Sequence, residues 1–256
     1  MAQRLAIVTG AAGDIGRAIA QRLRADHDVV VLADREMAAA NRAAADLGTG
    51  YVPVQLDVTD PQAIAGFAET VAALGALHTL VNNAGGVQAA SLQSTSVADW
   101  QADRALNLDA VFLLFSALAS QLQATQGSVV NIASVNGLGV YGHPAYSSAK
   151  AGMIHLTKLI AVEYGKFGIR ANTVAPGTVR TQAWEARAAS NPDIFTQAAA
   201  HYPLGRIARA EDVAEAVGFL ASPSAAAITG ICLPVDCGLT AGIPGLARSF
   251  SQSDDY

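Results

Sequence analysis

Charge is scarce in this chain. Asp, Glu, Lys and Arg make up only 14% of its 256 residues, against the roughly 25% usual for a soluble domain. Its 16 Lys and Arg and 21 Asp and Glu give a net charge of −5 and form no basic run. Neutralising a phosphate backbone needs such a stripe, so a nucleic-acid partner is excluded. Cysteine is nearly absent: Cys232 and Cys237 stand five apart, without the CxxC spacing of a redox or zinc pair, and are expected as thiols in a reducing compartment. Five dispersed histidines offer no ligand cluster, and no metal is expected. Repeats of 20–50 residues, low-complexity tracts and linkers are missing as well.

Long apolar spans are also lacking, despite a mean hydropathy of +0.30. The stretch 110–149 carries no Asp, Glu, Lys or Arg, yet Ser116, Ser120, Gln121, Gln123, Gln126, Asn131, Asn136, glycines and Pro144 interrupt it. It cannot cross a bilayer as one helix, so no membrane partner is expected. Met1 leads straight into the strand-like Leu5-Ala6-Ile7-Val8 without the pattern of a leader, and a cytoplasmic location is expected.

What is present is alternation of a different kind. Short apolar runs at 5–9, 28–33, 51–56, 77–82, 127–133, 169–175 and 229–235 read as strands. Between them, segments of helical period fill 15–25, 36–47, 60–75, 97–123, 145–166 and 210–221, with an irregular helical insertion around 181–200. Asp60-Pro61 is a helix start, an N-cap followed by proline at the first helical position. The strands are apolar throughout, so both sheet faces must be covered. The expected fold class is α/β, Rossmann-like and doubly wound: a single seven-stranded parallel sheet with helices on both faces. One domain spans 1–256, with a substrate loop at about 178–209 and a frayed polar tail at 249–256.

After the first strand comes Thr9-Gly10-Ala11-Ala12-Gly13-Asp14-Ile15-Gly16, opening into a helix. Glycines in such a turn let the backbone approach a pyrophosphate, which then sits at the positive end of the helix dipole. The second strand ends at Asp34, where the dinucleotide fingerprint calls for an acid on the adenosine ribose. A carboxylate there accepts from the ribose hydroxyls and repels a 2′-phosphate, favouring NAD over NADP, although Arg35 follows and is able to meet a 2′-phosphate. Capping the next helix is a competing role for Asp34.

Downstream stand Asn82-Asn83-Ala84-Gly85, Asn107 with Leu108 and Phe112, Ser134, Tyr146-Ser147-Ser148-Ala149-Lys150 and Pro176-Gly177. In this order and at these separations the chain resembles the short-chain dehydrogenase/reductase family, compact single-domain branch, over nearly its whole length. It departs from that branch at position 14, where Asp stands in place of the glycine of TGxxxGxG. Literally the loop is the TGxxGxxG of the extended branch, whose larger C-terminal substrate domain 256 residues do not accommodate. Asp14 is therefore read as a local variant that tolerates a left-handed backbone and caps the helix, with some loss of cofactor affinity from its charge.

Tyr146 and Lys150 lie four apart and share a helix face. A phenol with a reference pKa of about 10 is a poor acid–base catalyst at neutral pH. An ammonium beside it favours the phenolate, as does the positive ring of an oxidised nicotinamide. The resemblance implies Asn107, Ser134, Tyr146 and Lys150 as the catalytic set: Tyr146 as acid/base, Ser134 polarising the substrate oxygen, and Asn107 holding a water that relays protons from Lys150. It implies cofactor contacts at Gly10, Gly13, Asp14, Ile15, Gly16, Asp34, Arg35, Asp57, Val58, Asn83, Ala84, Gly85, Tyr146, Lys150, Pro176, Gly177, Val179 and Thr181.

Substrate is set in this family after Ser134 and after Pro176-Gly177. Ser134, Asn136, His143, Tyr146 and Trp184 are the expected substrate contacts, with Tyr141, His201 and Tyr202 nearby in sequence. Donors, acceptors and aromatic faces suit a polyol, sugar, hydroxy-ketone or aryl alcohol better than an aliphatic chain. The expected function is reversible hydride transfer between a secondary alcohol or ketone and NAD, with NADP less favoured. Alternatives are a 3-oxoacyl-carrier-protein reductase using NADPH and a non-catalytic nucleotide-binding sensor. Helices carrying apolar residues on more than one face point, by resemblance, to a homotetramer.

Overall fold

The computed structural model describes residues 2–255, apart from the side chains of Ala183, Ala186 and Arg187. The elements run β1 (Arg4–Thr9), α1 (Asp14–Leu23), β2 (Val29–Asp34), α2 (Met37–Leu47), β3 (Tyr51–Gln55), α3 (Pro61–Leu74) and β4 (Ala76–Asn82). Next come α4 (Val97–Arg104), a π-turn (Ala105–Asp109), α5 (Ala110–Thr125), β5 (Ser128–Ile132), α6 (Pro144–Tyr164) and β6 (Arg170–Pro176). The chain ends with β7 (Val179–Arg180), α7 (Gln182–Ala188), α8 (Ile194–Ala199), β8 (Ala208–Arg209), α9 (Ala210–Ala221), β9 (Cys232–Val235) and α10 (Pro244–Ser251).

Seven strands form one parallel sheet in the order β3-β2-β1-β4-β5-β6-β9, the doubly wound Rossmann-like architecture the alternation predicts. Strand periodicity divides the core. Leu5, Ile7, Val31, Ala33 and Leu80 face α3, α5 and α6 through Phe67, Leu114, Leu118 and Ile160. Ala6, Val8, Val30, Leu32 and Val81 face α1, α2 and α9 through Ile19, Leu23, Ala43, Val213 and Val217. Order reverses between β1 and β4, which opens a crevice at the carboxyl edge of the sheet.

Some details sharpen the sequence reading and others depart from it. The segment 97–123 is not one regular helix: the π-turn Ala105–Asp109 splits it. By length and composition Val97–Thr125 is apolar enough to cross a membrane, but Leu114, Phe115, Leu118 and Leu122 are buried against the sheet, the place of a core helix. The insertion around 181–200 resolves into α7 and α8, and a two-residue parallel ribbon, β7 with β8, brackets it. The tail is not frayed from 249 on, because Pro244 starts α10, which runs through Ser251.

Candidate active site

The Gly-rich turn joins β1 to α1 and is packed on its own backbone. A Cβ at Gly16 would stand 2.3 Å from the carbonyl oxygen of Gly10 and 2.8 Å from Ala11 Cα, so only glycine fits. Gly10 takes the left-handed conformation, with φ +60°. The expectation for Asp14 is corrected here: Gly13 is the N-cap, with φ −76°, and Asp14 is the first helical residue. Its carboxylate instead accepts from the backbone N–H of Gln182 at 2.7 Å, tying the phosphate loop to the first residue of α7.

Asp34 closes the other side of the loop. Its oxygens accept from Ala12 N at 3.0 Å and Glu36 N at 3.1 Å. Asp34 is not the cap of α2, whose N-cap is Glu36 without a side-chain cap bond, and lone pairs remain on its carboxylate for ribose hydroxyls. Arg35 is exposed and lies 3.5 Å from Glu36. After β3, Asp57 accepts from Thr59 N and Oγ1 at 2.9 and 2.6 Å, which hold its carboxyl below the usual range; Val58 is buried beside it. Asn83 donates to the carbonyls of Thr9 and Gly10 at 2.9 and 3.1 Å, while Asn83 N and Ala84 N both donate to Thr9 Oγ1 at 3.0 Å. The first turn of α1, whose leading N–H groups have no partner within the helix, the tight glycines and Asp34 together fit the pyrophosphate and ribose of a dinucleotide.

A cavity of about 820 Å³ continues from this crevice and is lined by Ile15, Asn83, Gly85, Ser134, Asn136, Tyr141, His143, Tyr146, Lys150, Pro176, Gly177, Val179, Thr181, Trp184, His201 and Tyr202, among others. It brings the expected substrate residues together with half of the expected cofactor set. Thr178, Leu239 and the pair Gly86 and Val87 also line it; no spacing signal marks Val87 or Leu239, because their loops are brought in only by the fold. Tyr202 has a further task, its hydroxyl accepting from Thr178 N at 2.9 Å.

Tyr146 and Lys150 stand one turn apart on α6, with the Lys150 ammonium 5.5 Å from the Tyr146 ring centre. Lys150 is buried and donates to Ile132 O at 2.7 Å. Burial lowers its pKa to about 7. A Cβ at Gly85 would lie 3.0 Å from Asn107 Oδ1 and 3.4 Å from Lys150 Nζ, which shows how closely the Asn-Asn-Ala-Gly loop is pressed onto both groups. Asn107, wholly buried in the π-turn, donates to Asp103 O and Gly86 O at 2.8 and 2.9 Å. Such turns occur often at functional sites because they free backbone groups.

Ser134 follows β5; its hydroxyl donates to Asn136 Oδ1 at 3.3 Å, and its proximity to the Tyr146 hydroxyl favours the phenolate. The dominant effect on Tyr146 is nevertheless burial, which pushes the phenol up, and Asp103 adds to it. In the protein alone the phenol therefore lies above its usual value, and Lys150 is not among the causes that move it. Asn136 is also drawn away from substrate. Its amide donates to Gly142 O and Ser147 Oγ at 2.9 and 3.2 Å, and its N–H donates to Ser134 Oγ at 3.2 Å, so it holds Ser134 in place.

A sequence family described as enoyl-(acyl carrier protein) reductase matches residues 10–240. The chain is 37% identical to meso-2,3-butanediol dehydrogenase of Serratia marcescens over 93% of its length and 95% of that protein's. With cis-4-hydroxycyclohexanecarboxylate dehydrogenase of Sinomonas cyclohexanicum the identity is 40%, over 94% and 98%. A solved structure from Burkholderia thailandensis, an oxidoreductase of the short-chain dehydrogenase/reductase family, superposes with TM-score 0.93 at 42% identity over all of both chains. Fold, cleft and relatives thus define an oxidoreductase. The chain belongs to the short-chain dehydrogenase/reductase family.

Proposed function

We propose that the protein oxidises a small secondary alcohol reversibly, with NAD as its cofactor and Tyr146 as the acid/base. One observation carries the reading: Ser134, Tyr146 and Lys150 line one cavity, with Lys150 buried and its ammonium 5.5 Å from the Tyr146 ring centre. When bound, the nicotinamide supplies the hydride acceptor or donor and, oxidised, a positive charge. Ser134 holds the substrate oxygen, and Tyr146 takes the hydroxyl proton on oxidation or returns it on reduction. Lys150, with a pKa of about 7, holds or releases a proton at neutral pH, and Asn107 stands beside it on the π-turn. Asp34 supports NAD over NADP, since a 2′-phosphate would face its carboxylate.

With Asn136 engaged and His143 Nδ1 held by Ala89 O, the polar faces left to a substrate include Ser134, Tyr146, His201 and Tyr141. Two separated donors and acceptors beside aromatic walls suit a diol, polyol or hydroxy-ketone. The names of the butanediol and hydroxycyclohexanecarboxylate dehydrogenases support an alcohol of this size. Exposed Phe112 on α5 and Leu159 and Val162 on α6 support association of copies through those helices.

The test is a screen by nicotinamide absorbance of diols, polyols, hydroxy acids, aryl alcohols and an acyl thioester, each with NAD and NADP. Turnover of a diol, polyol or hydroxy-ketone is expected, with kcat/KM about tenfold or more higher for NAD, from one like-charge contact of about 1.4 kcal/mol. Preference for NADP overturns the role of Asp34, and turnover of the thioester alone overturns the substrate class. A second measurement addresses Asp14. Asp14→Asn keeps an acceptor for Gln182 N and removes a charge beside the pyrophosphate, so calorimetry should show NAD binding about threefold to tenfold tighter; equal or weaker binding contradicts the repulsion.

A further inference from the structure

The loop after β4 is fastened to the catalytic helix through a chain of polar contacts. Gly86 N donates to Asn107 Oδ1 at 3.3 Å, and Gly86 O accepts from Asn107 Nδ2 at 2.9 Å. Two residues on, Gln88 N donates to Asp103 Oδ2 at 3.4 Å. Ala89 O meets His143 Nδ1 at 3.0 Å, and Ala90 O accepts from His143 N at 3.1 Å. His143 is the N-cap of α6, in the left-handed region, and its ring is turned to the loop rather than to the helix.

Asp103 supplies a negative charge at the helix start. It comes from α4 and is only 1% exposed; burial pushes its carboxyl up, against which the N–H groups of Gln88 and of Tyr146, the third residue of α6, favour the anion. N–H groups in that turn have no partner within the helix and attract an anion. Its other oxygen, Oδ1, is buried with no partner among the described residues. Burying a half-satisfied carboxylate is expensive, and an apolar side chain in the same place would avoid the penalty.

We propose that Asp103 is a positioning residue for the reaction: its carboxylate locks the loop 86–90 against the first turn of α6 and sets a negative charge beside the turn that carries Tyr146. The proposal rests on Tyr146 being the acid/base. Around Asp103 the other titratable groups are Asp99 on its own helix, which disfavours the anion, and His143 from α6, which favours it. Around Tyr146 they are Asp103 and Lys150, with His143, Tyr141, His201 and Tyr202 on the same cavity. Asp103 and burial favour the protonated phenol in the protein alone; a bound, oxidised nicotinamide would supply the positive charge that opposes them, which would tie proton abstraction to a loaded cleft.

The test is the pH profile of kcat/KM for oxidation of butane-2,3-diol with NAD, together with phenolate absorbance of the NAD-loaded protein, wild type minus Tyr146→Phe. Asp103→Asn keeps an acceptor for Gln88 N and Tyr146 N and removes the charge. Both midpoints are expected to fall by roughly half a pH unit or more, while Asp103→Glu stays near wild type. The shift is expected to persist in a His143→Gln background. Unchanged midpoints in a folded Asp103→Asn protein, a rise, or loss of the shift without His143 each overturn the proposal. Failure of the underlying reading is recognised separately, by turnover in Tyr146→Phe.

Discussion

Tyr146→Phe is expected to lower kcat/KM by about a thousandfold or more while costing the fold about 1 kcal/mol. The two effects separate because they draw on different interactions. The ring packing is kept by Phe, and what the fold loses is one buried hydroxyl beside Ser134, worth no more than a single hydrogen bond, about 0.5–1.5 kcal/mol net. What the reaction loses is the group that takes the alcohol proton, which contributes roughly 10²–10⁴-fold on its own, and the anion that polarises the same oxygen. Ser134 cannot replace it, because a serine hydroxyl does not ionise near neutral pH and this one is already shared with Asn136 N. The measurement is single-turnover and steady-state oxidation of the best alcohol, paired with urea unfolding and NAD calorimetry. Activity within tenfold of wild type in a folded, NAD-binding protein contradicts the mechanism, whereas a drop accompanied by unfolding reports only on packing.

Much of this site was legible because its residues are close in sequence or carry a backbone demand. Gly10 and Gly16 are visible because nothing else fits there, and Tyr146 and Lys150 because a four-residue spacing on a helix brings side chains together. Strand positions followed from continuous apolar runs, since both sheet faces are covered. What escaped depends on contacts between distant segments. Asp14 sits in a helix start and reads as a cap, yet its partner is Gln182, 168 residues on. Asp103 looks like one more polar position on an exposed helix, yet Gln88 and the start of α6 enclose it. The π-turn around Asn107 has no signature in its residues. It places Asn107 where it bonds both Gly86 and Asp103, and that demand comes from the loop it meets. Asn136 carried the right polarity for a substrate contact, but Gly142 and Ser147 claim its amide.

Lys150→Met is expected to abolish most turnover and, at the same time, to make the protein more stable at pH 7. Lys150 is 3% exposed and has no ion pair among the described residues; its one bond is to Ile132 O at 2.7 Å. Burial takes its pKa from 10.5 to about 7, and a shift of about 3.5 units corresponds to roughly 5 kcal/mol of differential interaction. The sign follows from proton counting. Between about pH 7 and 10.5 the unfolded chain holds a proton that the folded chain has released, so wild-type stability rises with pH across that window. Below pH 7 both states are charged and the whole penalty stands. Methionine has similar length and no charge to bury, and it leaves Ile132 O short of a donor at about 1–3 kcal/mol, so a net gain of a few kcal/mol is expected at pH 7. Urea titrations of the cofactor-free proteins at pH 7 and 9 should show that gain shrinking as pH rises. Equal stability at both values would mean that Lys150 stays solvated, and a gain that grows with pH would contradict the sign. Turnover should fall by roughly 10²-fold or more, because Met neither holds a proton beside Tyr146 nor favours its phenolate. Lost turnover together with gained stability would identify Lys150 as a charge the fold bears at a cost, as an ammonium serving proton transfer requires.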